Sequence, residues 1–208
     1  LITPFDSGGS SAVLRRHFAM PAVGDLRNRI MALADRSITG DPAAFELFAY
    51  RLPKDASQEE LIKRLQKMIA GEDPLVRHVP DPMRKIIRTH LRFFEQRRPE
   101  AFDLRGASIG NCILTGGYFN YNRMLDPVIY LFMKLVEARG VVRPVVNADL
   151  HLACELENGR VLIGQHRMTG KETAPIDAPI ARLWLTKRLD DPTPATVRIR
   201  EKTEQLIR

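Results

Sequence analysis

The chain has 208 residues, of which 44% are apolar, 27% charged and 7% aromatic. This is the composition of one well-buried globular domain, or a domain with an insertion, and it excludes a disordered or fibrous chain. No apolar run is long enough to cross a bilayer and no signal peptide is visible, while the net charge of +7 suits an anionic ligand or nucleic acid.

The first residues are apolar and strand-like and run into Asp6-Ser7-Gly8-Gly9-Ser10-Ser11. Val13, Leu14, His17 and Phe18 follow at helical spacing. Strand, Gly/Ser loop, helix is an order that suits phosphate. Gly8 and Gly9 let backbone N–H groups come close to a ligand. Ser10 or Ser11 can cap the helix, and a helix N-terminus attracts anions. Asp6 is placed to hold a divalent cation beside that anion. The alternative for Asp6 is a turn carboxylate bonded to its own backbone. Pro21 and Gly24 then break the chain, and a helix is predicted over 25–36 with Leu26, Ile30, Leu33 and Ala34 on one face. Asp25, Arg27 and Asn28 either form its exposed first turn or face a pocket in which the Arg27 guanidinium grips phosphate.

Residues 41–99 read as almost wholly helical, an insertion in an α/β core. Asp41-Pro42 is a helix start, with a capping residue and then Pro at the first helical position. Ser57 and Glu60 form a capping box ahead of an amphipathic stripe from Leu61 to Ile69. Asp81-Pro82 predicts a third start, for a helix through Ile86, Leu91 and Phe94. Arg84, Arg88 and Arg92 lie four apart on it. Such a face is either solvated or binds phosphate or nucleic acid.

Ser108 caps a predicted helix through Ile109, Cys112 and Leu114 that stops near Gly116-Gly117, with Gly110 and Asn111 in its first turn. An Asn there can donate to a phosphate or a base edge; the alternative is a capped helix whose Gly serves close packing. Tyr118–Arg123 reads as a loop, and Asp126-Pro127 opens an apolar helix to Gly140. Val141–Val146 reads as a buried strand, 151–156 and 161–164 as a hairpin around Asn158-Gly159, 180–186 as a further strand, and Thr193-Pro194 as the start of a last helix to Ile207. Helices alternating with strands favour an α/β class.

Cys112 and Cys154 sit in apolar segments without metal spacing and read as reduced core residues of a cytoplasmic protein. His17 and His90 lie near apolar helix faces, and His151 and His166 could both flank the hairpin. Neither a zinc site nor a Ser-His-Asp arrangement is visible. Gly164–Lys171 superficially suggests a nucleotide P-loop, but it has five residues between the glycines and Glu172 in place of Ser/Thr, so it reads as a basic loop or strand end.

Asp-x-Gly-Gly-Ser-Ser, a basic helix, and then Pro-x-x-Gly-Asp-Leu-Arg-Asn resemble the CofD/YvcK family. This family includes 2-phospho-L-lactate transferases and gluconeogenesis-factor proteins. Leu104–Asn111 is similar to that family's Gly-x-Ser-x-Gly-Asn motif, and Val141–Pro144 through Ala153–Gly159 supplies a third match in family order. Phe48–Arg51 and Asp55–Glu60 look most like a CofD-related subgroup found with a so-called GAK gene system. The resemblance implies a Rossmann-like, mostly parallel sheet with flanking helices. It also implies that this chain is a fragment, since relatives have a strand and a Gly-Gly-Thr-type loop before Leu1 and continue past Arg208.

The resemblance further implies Mg²⁺ held at Asp6, which would also be catalytic. Nucleotide or phosphate would bind at Gly8, Gly9, Ser10, Ser11, Asp25, Arg27, Asn28, Ser108, Gly110 and Asn111. Ser7 stands where many relatives carry a second acidic residue. The expected activity is transfer of a phospho-group from a nucleoside-diphosphate-activated donor to a hydroxyl. The alternative is a non-catalytic regulator that binds a nucleotide or nucleotide sugar. A homodimer is among the expected assemblies; a membrane partner is not, and nucleic acid is the distant third reading. One site requires residues 6–28 and 105–111 to be neighbours, with 41–99 as a lid or wall.

Overall fold

The computed structural model describes residues 2–3, 6–37, 40–170 and 173–197. The chain forms two compact units. A helical unit comprises Leu26–Arg143, and a sheet unit comprises Ile2–Asp25 with the chain from Pro144 onward. In chain order the first elements are β1 (Ile2–Thr3), α1 (Gly9–Phe18) and α2 (Gly24–Ala32). Gly24 and Asp25 of α2 are counted in the sheet unit and the rest of that helix in the helical one.

The helical unit continues with α3 (Pro42–Ala49), α4 (Gln58–Ala70), α5 (Pro74–Arg77), α6 (Met83–Arg97), α7 (Ile109–Asn120) and α8 (Leu125–Leu135). Its starts are set locally. The Asp41 side chain accepts from the Ala44 N–H, and Ser57 and Glu60 close a reciprocal capping box. Asp73 caps the short α5, a helix absent from the sequence reading. Asp81 does not cap α6; its carboxylate accepts from Arg84 at 2.9 Å instead. Leu61, Leu65 and Met68 of α4 and Ile87, Leu91 and Phe94 of α6 bury one face each.

Helix α7 does not stop at its glycines. It continues through Gly116 and Gly117 to Asn120, so Tyr118 and Phe119 belong to a helix and not a loop. The reason is packing. A Cβ on Gly116 would lie 1.7 Å from the His90 carbonyl oxygen, so the glycine lets α6 and α7 touch backbone to backbone. Every residue from Ile109 to Tyr118 is buried.

Where the helical unit ends and the sheet unit resumes, β2 (Arg143–Pro144) is all that forms of the strand predicted over 141–146. β3 (His151–Leu156), β4 (Val161–Ile163), the single-turn α9 (Gln165–Met168), β5 (Ile180–Arg188) and β6 (Asp191–Pro194) follow. The four-stranded sheet has the order β4-β3-β5-β6, and all its pairings are antiparallel. This corrects the expectation of a mostly parallel, Rossmann-like sheet: helix and sheet are mixed, but the described sheet is antiparallel. Short connections explain two of its three pairings, β3–β4 and β5–β6. The Asn158-Gly159 turn and the Leu189-Asp190 link are too short for a parallel crossover. Ala153, Cys154 and Leu156 are buried, with Ala153 opposite Ile163 on one side and Trp184 on the other.

Residues 191–194 are strand, not the start of a helix. The rest of that predicted helix, from 198 to 207, lies outside the described residues, as do Lys171 and Glu172 of the P-loop-like run. Among the described residues, no helix is long and apolar enough to cross a membrane.

Candidate functional site

Helix α1 begins one turn earlier than its serines suggested. Gly8 is the N-cap, and Gly9 takes a φ of 48° that favours glycine. Ser10 and Ser11 therefore lie inside the helix and not at its N-cap. Ser11 is buried, and its Oγ accepts from the N–H of Gly24 at 3.2 Å, satisfying the first donor of α2. Asp6 stands beside both helix starts. Its Oδ1 accepts from the Gly8 N–H at 3.1 Å, and a Cβ placed on Gly24 would be 2.8 Å from its Oδ2. Asp6, Gly8, Ser11, Gly24 and, next in the chain, Asp25 are thus gathered within the sheet unit.

The turn reading of Asp6 holds in that its carboxylate bonds its own loop. A metal role is compatible with it, because one oxygen is engaged by the turn and the other faces Gly24. Among the described residues no group of three or more His, Cys, Asp or Glu is placed to hold a metal ion. Mg²⁺ takes one or two protein carboxylates and completes its shell with water and substrate phosphates. Asp6 therefore fits a Mg²⁺ that arrives with a nucleotide, not a metal held in a closed protein cage.

Sequence reasoning missed the residue that organises this region. Arg15 is only 6% exposed. Its Nε donates to Asp149 at 2.8 Å, one terminal nitrogen donates to the Asp6 carbonyl at 3.0 Å, and the other donates to the Leu150 carbonyl at 2.7 Å. The last also lies 3.1 Å from His151 Nε2. The signal was available. Ser11, Leu14, Arg15 and Phe18, at i, i+3, i+4 and i+7, are the buried face of α1. The stripe expected through Val13 and His17 is rotated away from it.

Ser7 is also buried, with its hydroxyl 2.9 Å from His166 Nδ1 and accepting from the His166 backbone N–H at 3.3 Å. His166 lies on α9 and His151 opens β3, so both histidines stand at the open end of the hairpin. Burial, with repulsion from Arg15 behind it, pushes the His151 imidazole down to about 4. Beside these groups is a pocket of about 310 Å³ lined by Ser7, Arg15, Asp149 and His151 on one part of its wall and by Lys187–Asp190 on another.

The remaining predicted residues gather in the helical unit. Ser108 caps α7 by accepting from the Asn111 N–H at 3.3 Å. The Arg27 guanidinium donates to Ser108 Oγ, to the Phe48 carbonyl at 3.5 Å and to Asn28 Oδ1 at 2.6 Å. Burial, with the Arg51 charge adding to it, lowers Arg27 to about 10, so it stays cationic at neutral pH. Its fork is turned to protein oxygens. Gly110 is needed for this contact, because a Cβ there would meet Phe48 O at 2.5 Å and Arg27 Cδ at 2.8 Å. Asn111 is buried at the same helix start, whereas Asn28 is exposed.

The basic face of α6 is partly used within the unit. Arg84 donates to Asp81 and to the Arg77 carbonyl at 3.2 Å, Arg88 donates to the Ile69 carbonyl at 2.8 Å, and Arg92 is exposed.

The family model described as 2-phospho-L-lactate transferase CofD matches residues 1–204. An uncharacterized protein of Saccharomyces cerevisiae is 28% identical, over 85% of this chain and 40% of that protein. The gluconeogenesis factor of Bacillus subtilis is 27% identical, over 100% of this chain and 48% of that protein. The fold is similar to a crystal structure of a member of the UPF0052 family from Bacillus halodurans, with a TM-score of 0.53 at 23% identity, covering 89% of this chain and 42% of that one. The chain thus spans less than half the length of these relatives. The match across nearly all of its residues places the chain in the CofD family.

Proposed function

We propose that the chain contributes to a CofD-like transferase that moves a phospho-group from a nucleoside-diphosphate-activated donor to an acceptor hydroxyl. The observation that carries this reading is the start of α1, a helix N-terminus with a glycine at its N-cap and the Asp6 carboxylate beside it. Such an end presents N–H groups and a positive dipole to phosphate. The acceptor oxygen forms a bond to phosphorus, the bond from that phosphorus to the nucleoside monophosphate breaks, and the hydroxyl proton leaves to water. This chemistry requires positioning and charge neutralisation more than a protein nucleophile. Mg²⁺ at Asp6 would neutralise phosphate charge. Gly8–Ser11 would hold the phosphate oxygens, and Gly24, having no side chain, lets the start of α2 lie close against Asp6 and Ser11. The buried, reduced cysteines support a cytoplasmic setting.

The engagement of Ser7 by His166, at a position where many relatives carry an acid, favours a second reading. In it the chain is a non-catalytic regulator that binds a nucleotide or nucleotide sugar. Turnover separates the two. The protein is incubated with Mg²⁺, a nucleoside-diphosphate-activated donor and hydroxyl acceptors. Release of nucleoside monophosphate is the result expected for the transferase; saturable nucleotide binding without release leaves the regulator.

A further inference from the structure

The loop that carries Asp6 is tied down by groups outside it. The Asp6 carbonyl accepts from a terminal nitrogen of Arg15 at 3.0 Å. The Ser7 hydroxyl accepts from the His166 backbone N–H at 3.3 Å, and His166 Nδ1 lies 2.9 Å from the same oxygen. The Gly8 N–H donates to Asp6 Oδ1 at 3.1 Å. Successive residues are thus held by α1, by α9 and by the Asp6 carboxylate itself.

The tie on Asp6 is rigid because of what else Arg15 holds. A cation that only balanced charge would need one carboxylate and could stay in water. The Arg15 side chain is instead 5% exposed. Its Nε donates to Asp149 at 2.8 Å and its second terminal nitrogen to the Leu150 carbonyl at 2.7 Å. A planar guanidinium engaged by three separate oxygens cannot turn without breaking one of these bonds. The place of the Asp6 carbonyl is therefore fixed against the segment leading into β3, and not by the loop alone. A carboxylate on a main chain held in this way reaches a metal with less reordering than one on a free loop.

We propose that Arg15 is a positioning residue for the Asp6 carboxylate. Its charge is paired with Asp149 and it touches no ligand. Through the Asp6 carbonyl it holds the loop ready for Mg²⁺ that enters with a nucleotide. The proposal rests on the reading in which Asp6 carries that metal.

The test compares the wild type with Arg15→Met, Arg15→Met/Asp149→Ala, Arg16→Met and Asp6→Ala. The first readout needs no ligand: hydrogen exchange at the Gly8 amide, followed by NMR on metal-free protein. Both Arg15 variants should exchange faster there, while amides in the middle of β3 keep their protection. The second is the Mg²⁺ concentration for half-maximal binding of ADP, CDP, GDP or UDP, titrated in turn by calorimetry. It should rise about tenfold or more in both Arg15 variants. The double variant separates positioning from support of the fold. It strands no buried charge and so regains stability, yet the Asp6 carbonyl still lacks its donor. Arg16→Met removes the same charge from an exposed neighbour and should leave the Mg²⁺ requirement unchanged. Wild-type Gly8 exchange or Mg²⁺ requirement in the double variant overturns the proposal, as does an equal rise in Arg16→Met. Mg²⁺-dependent binding that is lost in Asp6→Ala but intact in the Arg15 variants overturns the positioning role alone. A wild type that binds none of these nucleotides with Mg²⁺ dependence overturns the metal reading of Asp6 and the proposal with it.

Discussion

Arg15 and Asp149, 134 residues apart in sequence, meet at 2.8 Å through Nε and at 2.6 Å through a terminal nitrogen. The pair joins the first helix of the sheet unit to the segment that leads into β3. The arginine side chain is 5% exposed and the aspartate 35%, so the two ends are not equivalent. Removing the carboxylate strands a buried cation. Removing the cation leaves an anion that water still reaches. Asp149→Ala should therefore lower stability by ~3 kcal/mol, more than Arg15→Met does, and the double variant should recover part of the loss. Urea unfolding of the four proteins checks the order.

Gly24→Ala adds a methyl group whose ideal position is 2.3 Å from Ser11 Oγ and 2.8 Å from Asp6 Oδ2. Both neighbours are anchored, Ser11 by the bond it accepts from Gly24 and Asp6 by Gly8. Overpacking of this kind costs ~1–3 kcal/mol. The expected outcome is a fall in the urea midpoint together with weaker nucleotide binding. An unchanged midpoint would mean that the two helix starts are less closely opposed than described.

Asp6→Ala should abolish Mg²⁺-dependent nucleotide binding with little loss of stability, since among the described residues its carboxylate accepts one loop hydrogen bond, from the Gly8 N–H at 3.1 Å. Calorimetry with and without Mg²⁺ reads the first effect and thermal unfolding the second. Undiminished binding in the variant would leave Asp6 as a turn residue only.

His90 is 2% exposed, and burial holds its imidazole down to about 4. The unfolded chain takes up that proton near the ordinary histidine value, so it binds more protons than the folded chain between the two values. Stability is then complete above about 6.5 and falls as pH drops towards 4, by ~3 kcal/mol at most from this group. His151, lowered by burial in the sheet unit, acts in the same direction. Urea midpoints measured from pH 7 to 4.5 should fall in the wild type and less steeply in His90→Leu.

Features fixed by near neighbours were legible in the sequence. The Asp41, Ser57 and Ser108 caps and the Asn158-Gly159 hairpin each depend on a few adjacent residues, and each formed where expected. Features set by distant partners were not. Alternating strands do not disclose the direction of their neighbours, so the antiparallel sheet was invisible. Gly116-Gly117 read as a helix stop because nothing local reveals the His90 carbonyl that requires the first of them and the His90 ring and Val128 that crowd the second. Arg15 and Arg16 look alike in sequence; only the Ser11, Leu14 and Phe18 face assigns the first to the interior. The glycines and Asp6 of the candidate loop are neighbours in sequence, whereas Asp149 is joined to them only by the fold.

The contact at Gly116 has a kinetic corollary. With the backbones of α6 and α7 touching there, no side-chain layer separates them to yield a little at a time. Neither helix can slide or fray at the crossing without breaking the other's packing. Amide deuterium uptake around Gly116 and His90 should therefore be the slowest in the helical unit and share one rate under strongly exchanging conditions. The ends of α4 and α8 should take up deuterium far sooner.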